Sequence, residues 1–202
     1  SPELKDDDLV LVQEDFAYHE LLAAEVEQPY QSTPKQPERA LNDGLNRFSR
    51  FPFGPMTRGT WTACNGIVED SNDCLADKGF SFAVHRLAEN VELHVYNLHF
   101  DAGRDEADFE ARSSQVQQFV DALTLQSAGA AVLVGGDQNL KLENTPADDP
   151  SLYAQLLEEG DLRDACAEVE CGDLRYDRIL LRSSDKLQLN VRAWQIPEGF
   201  VD

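Results

Sequence analysis

The sequence predicts a mixed α/β fold, a layered sandwich whose helices lie outside its sheets. Apolar runs and alternating patterns of the kind that form strands recur along the chain, and helical patterns separate them without a regular βαβ count. The chain has no internal repeat and no linker that would divide it. We therefore interpret residues 1–202 as a single domain.

Strands are predicted where apolar residues form short runs or alternate with polar ones. Leu9–Val12 is a continuous apolar run, typical of a strand that is covered on both faces. The longest alternating run is Val91–Phe100. In chain order, the predicted strands cover residues 9–12, 80–84, 91–100, 132–134, 178–181 and 187–193.

Three helices are predicted from apolar residues that lie three or four positions apart. The first covers Phe16–Val26. The second is the longest and covers Asp105–Gln126, and its opening acids suit the positive amino end of a helix. The third covers Pro150–Glu159, with proline in its first turn and Gly160 beyond its end.

Residues 28–59 are rich in Pro, Asn, Gln and Gly, and we interpret them as a long irregular segment. The segment carries Arg47, Arg50 and Arg58 among aromatic residues. Two interpretations are open for these arginines. They face an anion or a lipid headgroup, or they form a solvated rim.

The four cysteines form two short-range pairs, Cys64 with Cys74 and Cys166 with Cys171. Neither pair has the spacing of a zinc site. We expect two loop-closing disulfides, which suit a secreted or periplasmic protein. The alternative is four unrelated buried thiols.

The formal net charge of −21 bears on the possible partners. Such a surface repels a polyanion, so it argues against nucleic acid, although divalent cations could offset the repulsion locally. No apolar run reaches the length of a membrane span, and no signal-peptide pattern opens the chain. We expect a monomer without a transmembrane segment.

A strand followed by two glycines delivers a carboxylate and an amide to one place. In the stretch 132–139, Asp137 and Asn139 are two positions apart, so their side chains point the same way from an extended backbone. Gly135 and Gly136 let a ligand or another backbone approach closely. By itself this stretch could also be an ordinary exit from a strand into a turn.

Polar residues lie at the ends of three other predicted strands. They are Glu14, the pair Asn97 and His99, and the pair Tyr176 and Asp177. Together with Asp137 and Asn139 they combine carboxylates, amides and one imidazole. Oxygen donors of this kind suit Mg²⁺ or Mn²⁺, and hydrolysis of a phosphodiester needs charge neutralisation, an aligned water and a proton acceptor. The set therefore predicts a site for a divalent cation and a phosphate.

The ordered set of motifs resembles the endonuclease/exonuclease/phosphatase superfamily, which includes the DNase I-like nucleases and the neutral sphingomyelinases. The resemblance runs from residue 9 to about 194. It rests on Gln13-Glu14, Asn97-Leu-His99, Gly136-Asp-Gln-Asn139 and Tyr176-Asp-Arg-Ile179. It implies a four-layer α-β-β-α sandwich.

Two parts of the chain resemble different branches of the superfamily. Tyr176–Ile179 looks like the corresponding stretch of DNase I. The segment that begins at His99, followed by a helix with Arg112 and Gln115, looks closer to the bacterial sphingomyelinases.

The resemblance implies catalytic roles for four residues. Glu14 would be the ligand of Mg²⁺ or Mn²⁺. His99 would contact the scissile phosphate or its leaving oxygen, with Asp177 orienting the imidazole. Asp137 would position or polarise the attacking water.

The resemblance also implies substrate contacts. Asn139 would bind the phosphate, and Asn97 and Tyr176 are expected to contact the substrate as well. The superfamily normally begins with a strand that carries an asparagine near the metal, and it ends with a Ser-Asp-His motif. The sequence as given contains neither feature, so we expect this chain alone to be impaired or inactive.

The function that these residues favour is hydrolysis of a phosphodiester or phosphomonoester by an exported, Mg²⁺-dependent, sphingomyelinase-like enzyme. Water would attack phosphorus in line. A lipid headgroup or a small phosphodiester is favoured as the substrate, and nucleic acid is possible. The alternatives are a DNase I-like nuclease and a catalytically impaired binding module on the same fold.

Overall fold

The computed structural model describes residue 4 and residues 6–66, 73–143, 148–172 and 176–196. Within these residues, nine strands form two sheets. The strands are β1 (Leu9–Val12), β2 (Tyr30–Gln31), β3 (Asn46–Ser49), β4 (Thr57–Thr60), β5 (Gly79–Ala88), β6 (Val91–His99), β7 (Val132–Asp137), β8 (Arg163–Asp164) and β9 (Asp177–Arg182). The helices are α1 (His19–Val26), α2 (Glu106–Ser127), α3 (Asp149–Gly160) and α4 (Ala165–Glu168), with a 3₁₀ turn at Asp73–Leu75.

The larger sheet determines where polar side chains meet. Its strand order is β4-β5-β6-β7-β9-β8. The strands β6 and β7 are parallel and α2 connects them, whereas β9 runs antiparallel to β7. The carboxyl ends of β6 and β7 therefore lie beside the amino end of β9. We call this the site edge of the large sheet.

The smaller sheet has the order β1-β3-β2 and lies against the larger one through β1 and β7. The two strands approach closely because position 135 has no side chain: a Cβ added to Gly135 would lie 2.6 Å from Cδ1 of Leu11. The helix α1 covers the outer face of the small sheet through Val10, Val26 and Phe48. The helices α2 and α3 cover the outer face of the large sheet. These layers confirm the predicted α-β-β-α sandwich.

The main core lies between the large sheet and the helices α2 and α3. At its centre, Phe119 of α2 makes edge-to-face contacts with Phe80, at 5.7 Å between ring centroids, and with Tyr96, at 5.4 Å. The helix α2 begins at a capping box formed by Asp105 and Asp108. The predicted apolar stripe is confirmed, since Val116, Phe119, Val120 and Leu123 are buried. This packing holds β6, and with it the position of His99.

The interpretation of residues 28–59 as an irregular segment is wrong in part, because β2 and β3 lie within it and β4 begins there. Strand propensity does not predict β3, because its residues are mostly polar. The strand is nevertheless buried along its whole length. Both surface interpretations of Arg47 are also wrong. Its guanidinium is fully buried and donates to the carbonyl of Val95 at 3.1 Å. Arg58 turns inward too, and donates to the buried carboxylate of Asp43.

The strand predicted at residues 187–193 is wrong, since the structure forms no strand between 187 and 196. Leu187 and Leu189 instead pack against the cluster of Leu93 and Val95 on the large sheet. The alternating pattern therefore reflects burial of one face, without the ladder of hydrogen bonds that defines a strand.

Both predicted disulfides are confirmed. Cys64 and Cys74 are bridged with their Cα atoms 5.4 Å apart, and Cys166 and Cys171 with theirs 5.1 Å apart. Across the described parts of the chain, no helix combines the length and the apolar character that a membrane crossing requires.

Candidate active site

Three of the predicted site residues lie side by side at the site edge. The register of the strands pairs His99 with Asp137 and Asp137 with Asp177. Paired residues on neighbouring strands project to the same face of a sheet, so the three side chains form a row. Phe100 and Asn139 follow β6 and β7 just beyond this row and are joined by a hydrogen bond.

His99 is nearly enclosed, with 2% of its surface exposed. Its Nε2 lies 3.8 Å from Oδ2 of Asp137, and its Nδ1 has no hydrogen-bond partner among the described residues. Burial, and after it the positive charge of Lys78, lowers the pKa of His99 to about 3. The imidazole is therefore neutral at physiological pH.

The sequence predicts that Asp177 contacts His99, and this prediction is wrong, because the acid beside His99 is Asp137. The strand β7 lies between β6 and β9, so Asp137 is the acid that faces the imidazole. The order of strands in the sheet was not readable from the sequence, and the sequence separation of the two residues gave no distance.

Asp137 carries the negative charge at the centre of the row. Its pKa is raised to about 6, mainly by burial and in smaller part by the charges of Asp177 and Glu14. A hydrogen bond of 2.8 Å from the backbone N–H of Asn139 to its Oδ1 acts in the opposite direction, as does Lys78. Three carboxylates therefore share one region, and their mutual repulsion is what a divalent cation would relieve.

Glu14 follows β1 and reaches the same region from the small sheet. It has a left-handed backbone conformation, with φ of 59°, and is exposed. No hydrogen bond or ion pair joins its carboxylate to the other described residues. The helix predicted from Phe16 begins at His19, because the N–H of Phe16 donates to the carbonyl of Glu14 in a tight turn.

Asn139 sits where the chain leaves β7. Its Nδ2 donates to the carbonyl of Phe100 at 3.0 Å, which ties the exits of β6 and β7 together. Its backbone is left-handed, with φ of 48°, a conformation that asparagine tolerates better than most residues. Asn139 therefore does not have the extended backbone from which the sequence predicts that its side chain points the same way as that of Asp137.

The prediction that Asn97 binds substrate does not fit the structure. The residue is completely buried, and its Nδ2 donates to the carbonyls of Val12 and Asn46 at 2.9 and 3.1 Å. Its Oδ1 accepts a hydrogen bond of 2.6 Å from Gln13. Asn97 therefore joins the two sheets. It projects to the same face of β6 as His99, but it lies two residues earlier on the strand, where the small sheet covers it.

Tyr176 lies at the rim of the site and is 39% exposed. The guanidinium of Arg104 stands over its ring, 5.0 Å from the centroid. Arg104 also donates to the carbonyl of Asn139 at 3.0 Å. The rim thus combines an aromatic face with a cation, next to the residue predicted to bind phosphate.

Lys78 is a site residue that the sequence did not reveal. It is buried beside β6 at the start of β5, and it forms an ion pair with Asp73. The other carboxylate oxygen of Asp73 accepts the N–H of Ala102, just after the strand of His99. In the sequence, Lys78 is only a lysine that directly precedes a strand. Its proximity to His99 follows from the pairing of β5 with β6, which the sequence does not reveal.

The donor set at the site edge fits Mg²⁺ or Mn²⁺. Among the described residues, no group of three or more His, Cys, Asp or Glu side chains is drawn together tightly enough to form a ready-made metal cluster. Mg²⁺ does not need one, because it commonly takes one or two carboxylates and fills its other positions with water and substrate oxygens. Glu14 supplies an unengaged carboxylate, and Asp137 and Asp177 lie close enough to act on one another's charge.

Comparison with known proteins gives the chain its relatives. It is 35% identical over 167 residues to a sphingomyelinase of Mycobacterium tuberculosis, an alignment that covers 80% of this chain and 31% of that protein. The chain thus spans about a third of the length of the curated relatives it matches. No protein-family model matches it.

Solved structures share its fold. A mutant of beta toxin from Staphylococcus aureus with bound magnesium ions superimposes with a TM-score of 0.70 at 17% identity, over 94% of this chain and 75% of that one. An endonuclease/exonuclease/phosphatase from Beutenbergia cavernae does so with a TM-score of 0.63 at 16% identity, over 88% and 55%. The chain is a homologue of the mycobacterial sphingomyelinase, and it has the DNase I-like fold of the endonuclease/exonuclease/phosphatase structures. The resemblance stated from the ordered motifs and the DNase I-like sandwich it implied are both confirmed.

Proposed function

We propose that this protein is a sphingomyelinase-like, Mg²⁺-dependent hydrolase of phosphoric esters in the endonuclease/exonuclease/phosphatase superfamily. The observation that carries the proposal is the row of His99, Asp137 and Asp177 at the site edge, with Glu14 acting on it from the other sheet. The 35% identity to a mycobacterial sphingomyelinase supports a phosphodiester with a lipid headgroup as the substrate.

In this proposal Glu14, with Asp137 and Asp177 nearby, holds the cation. The bound cation would neutralise phosphoryl oxygens and lower the pKa of a coordinated water. The chain's own contribution is to hold the phosphate. The neutral imidazole of His99 offers one N–H to a phosphoryl or leaving oxygen. Asn139, whose Nδ2 is bonded to the carbonyl of Phe100, would also bind the phosphate.

Asp137 and Lys78 adjust the electrostatics of this arrangement. Asp137 is held by the N–H of Asn139 and turns its other oxygen towards His99. Lys78 opposes protonation of His99 and supplies positive charge in a site that is otherwise acidic. Tyr176 and Arg104 border the entrance and would contact the headgroup.

We also propose that the protein is exported. Its two disulfides suit an oxidising compartment outside the cytosol, where small loops closed by cystines persist. A secreted or periplasmic location is consistent with them.

The test is hydrolysis of sphingomyelin, of a soluble choline phosphodiester and of plasmid DNA by the purified full-length protein, with Mg²⁺ or with a chelator. We expect Mg²⁺-dependent release of phosphocholine, and a loss of about 10²–10⁴-fold for His99→Asn. The matched control is His94→Asn, on the same strand but bonded to Ser127 away from the site edge. Cleavage of DNA without cleavage of either choline ester would contradict the proposed substrate class.

A further inference from the structure

The turn that carries Glu14 is tightly built. The N–H of Phe16 donates to the carbonyl of Glu14 at 2.8 Å, and the N–H of Asp15 donates to the carbonyl of Gly44 at 3.1 Å. Gly44 is itself left-handed, and a Cβ added there would lie 2.9 Å from both Cα and N of Glu14. The backbone of Glu14 therefore rests directly on the backbone of the segment that leads into β3.

A buried carboxylate holds this turn in place. The side chain of Asp15 is 2% exposed, and its Oδ2 accepts two hydrogen bonds. One comes from Nδ1 of His19 at 2.6 Å, and the other comes from Nδ2 of Asn46 at 2.9 Å. Asp15 thus connects the turn to the first residue of α1 and to the first residue of β3.

Both donors are fixed by their own surroundings. The ring of His19 stacks on Phe48, with the centroids 5.7 Å apart and the planes inclined at 19°. Asn46 is fully buried, and its Oδ1 accepts a hydrogen bond of 3.0 Å from the hydroxyl of Ser32. The carboxylate of Asp15 therefore accepts hydrogen bonds from two donors whose positions are fixed by other contacts.

We propose that Asp15 is a positioning residue for Glu14, and that the contacts of Asp15 with His19 and Asn46 aim the Glu14 carboxylate at a divalent cation. This inference rests on the proposed function, which assigns the cation to Glu14. Among the described residues, the hydrogen bonds of the Asp15 carboxylate go to His19 and Asn46, not to His99 or Asp137. It acts through the conformation of its neighbour.

The physical reason lies in the backbone of Glu14. A left-handed conformation is unfavourable for glutamate, so it persists only where the surroundings impose it. Without an acceptor at position 15, the amide of Asn46 and the imidazole of His19 lose a buried partner, and the turn loses its anchor. Glu14 can then relax, which displaces its carboxylate. Mutation of a residue that orients a metal ligand typically lowers metal affinity by about 10–100-fold.

The experiment measures the affinity of the protein for Mn²⁺ by the paramagnetic resonance signal of the free ion. We expect Asp15→Ala to weaken binding by about 10-fold or more. Asp15→Asn can present its amide oxygen to the same two donors, so it should restore most of the affinity. If Asp15→Ala does not fold, His19→Phe keeps the stacking on Phe48, removes one donor, and should weaken binding in the same direction.

Two further variants separate the possible outcomes. Asp164→Ala also removes a carboxylate that accepts two hydrogen bonds, from Tyr153 and from the N–H of Cys166, but on the outer strand of the large sheet. It should lower stability without changing Mn²⁺ affinity. Glu14→Gln should remove the binding. Wild-type affinity in Asp15→Ala, when Glu14→Gln has lost binding, would overturn the role of Asp15. Wild-type affinity in Glu14→Gln would instead overturn the proposed metal site.

Discussion

His85 and Arg47 form a buried pair of nitrogen-rich side chains between the sheets. Nε2 of His85 lies 3.4 Å from NH1 of Arg47, and Nδ1 lies 3.2 Å from the hydroxyl of Ser49. Since Arg47 can only donate, Nε2 must accept, and the proton of the neutral ring is on Nδ1. Burial, and after it the charge of Arg47, lowers the pKa of His85 to about 3.

The first prediction at this scale concerns acid stability. The unfolded chain protonates His85 below about pH 6.5, whereas the folded protein does not until the pH approaches 3. The unfolded state then binds more protons, so the free energy of unfolding decreases as the pH falls through this window. At pH 5 the titration of His85 lowers the free energy of unfolding by about 2 kcal/mol relative to its value above pH 7.

This contribution is measured by urea unfolding between pH 4.5 and 7.5 for the wild type and for His85→Gln. The substitution lowers stability at pH 7, but it should reduce proton uptake on unfolding at pH 5 by about one proton. His99 titrates in the same direction in both proteins and cancels in the comparison. An unchanged dependence on pH would contradict the assignment of a neutral His85.

At the scale of elements, the disulfide Cys64–Cys74 fixes the loop that follows β6. Next to Cys64, the N–H of Asn65 donates to Asp101 at 2.6 Å. Next to Cys74, the carboxylate of Asp73 accepts the N–H of Ala102 at 2.7 Å. The bridge therefore joins two segments that are both hydrogen-bonded to the loop at Asp101 and Ala102, directly after His99. The second disulfide joins Cys166 of α4 to Cys171, next to the edge strand β8 of the large sheet.

We expect the two disulfides to differ in their effect on the site. In the chain-entropy view, removing Cys64–Cys74, with a separation of 10 residues, costs about 3 kcal/mol. Removing Cys166–Cys171, with a separation of 5, costs about 2 kcal/mol. The double alanine variants are compared by urea unfolding and by hydrolysis of a choline phosphodiester. Activity should fall further in Cys64→Ala/Cys74→Ala, and equal activity in the two variants would contradict the role of the first bridge.

At the scale of the whole molecule, polar side chains as well as apolar ones hold the two sheets together. Arg47 extends from β3 of the small sheet and donates to the carbonyls of Val95 and Ser81 on the large one, at 3.1 and 3.0 Å. Asn97 makes the reverse connection, from β6 to the carbonyls of Val12 and Asn46. The relative position of the sheets decides whether Glu14 meets Asp137.

Arg47→Ala should therefore destabilise the fold by about 3 kcal/mol or more, because it leaves buried carbonyls without donors and opens a cavity. The matched control is Arg50→Ala, three residues along, whose side chain is 51% exposed and pairs with Asp8 at the surface. It should cost less than about 1 kcal/mol. Chemical denaturation of the two variants checks the difference, and equal losses would show that Arg47 does not join the sheets.

The sequence by itself determined several of the elements and showed which polar residues lie at their ends. Val91–His99, the helix after it and Val132–Asp137 follow patterns whose period depends only on local geometry. The residues at the strand ends, His99, Asp137 and Asp177, are likewise local features. The cysteine pairs were readable because a short separation limits the possible partners.

The tertiary structure alone decided which of these residues touch. The order of strands placed Asp137, and not Asp177, against His99, and a small sheet laid over β6 removed Asn97 from the site. The role of Asp15 and Lys78 also required it, since each acts through partners far away in the sequence. The physical reason is that periodicity records which face of an element is buried, whereas contacts between elements depend on the packing of the whole chain.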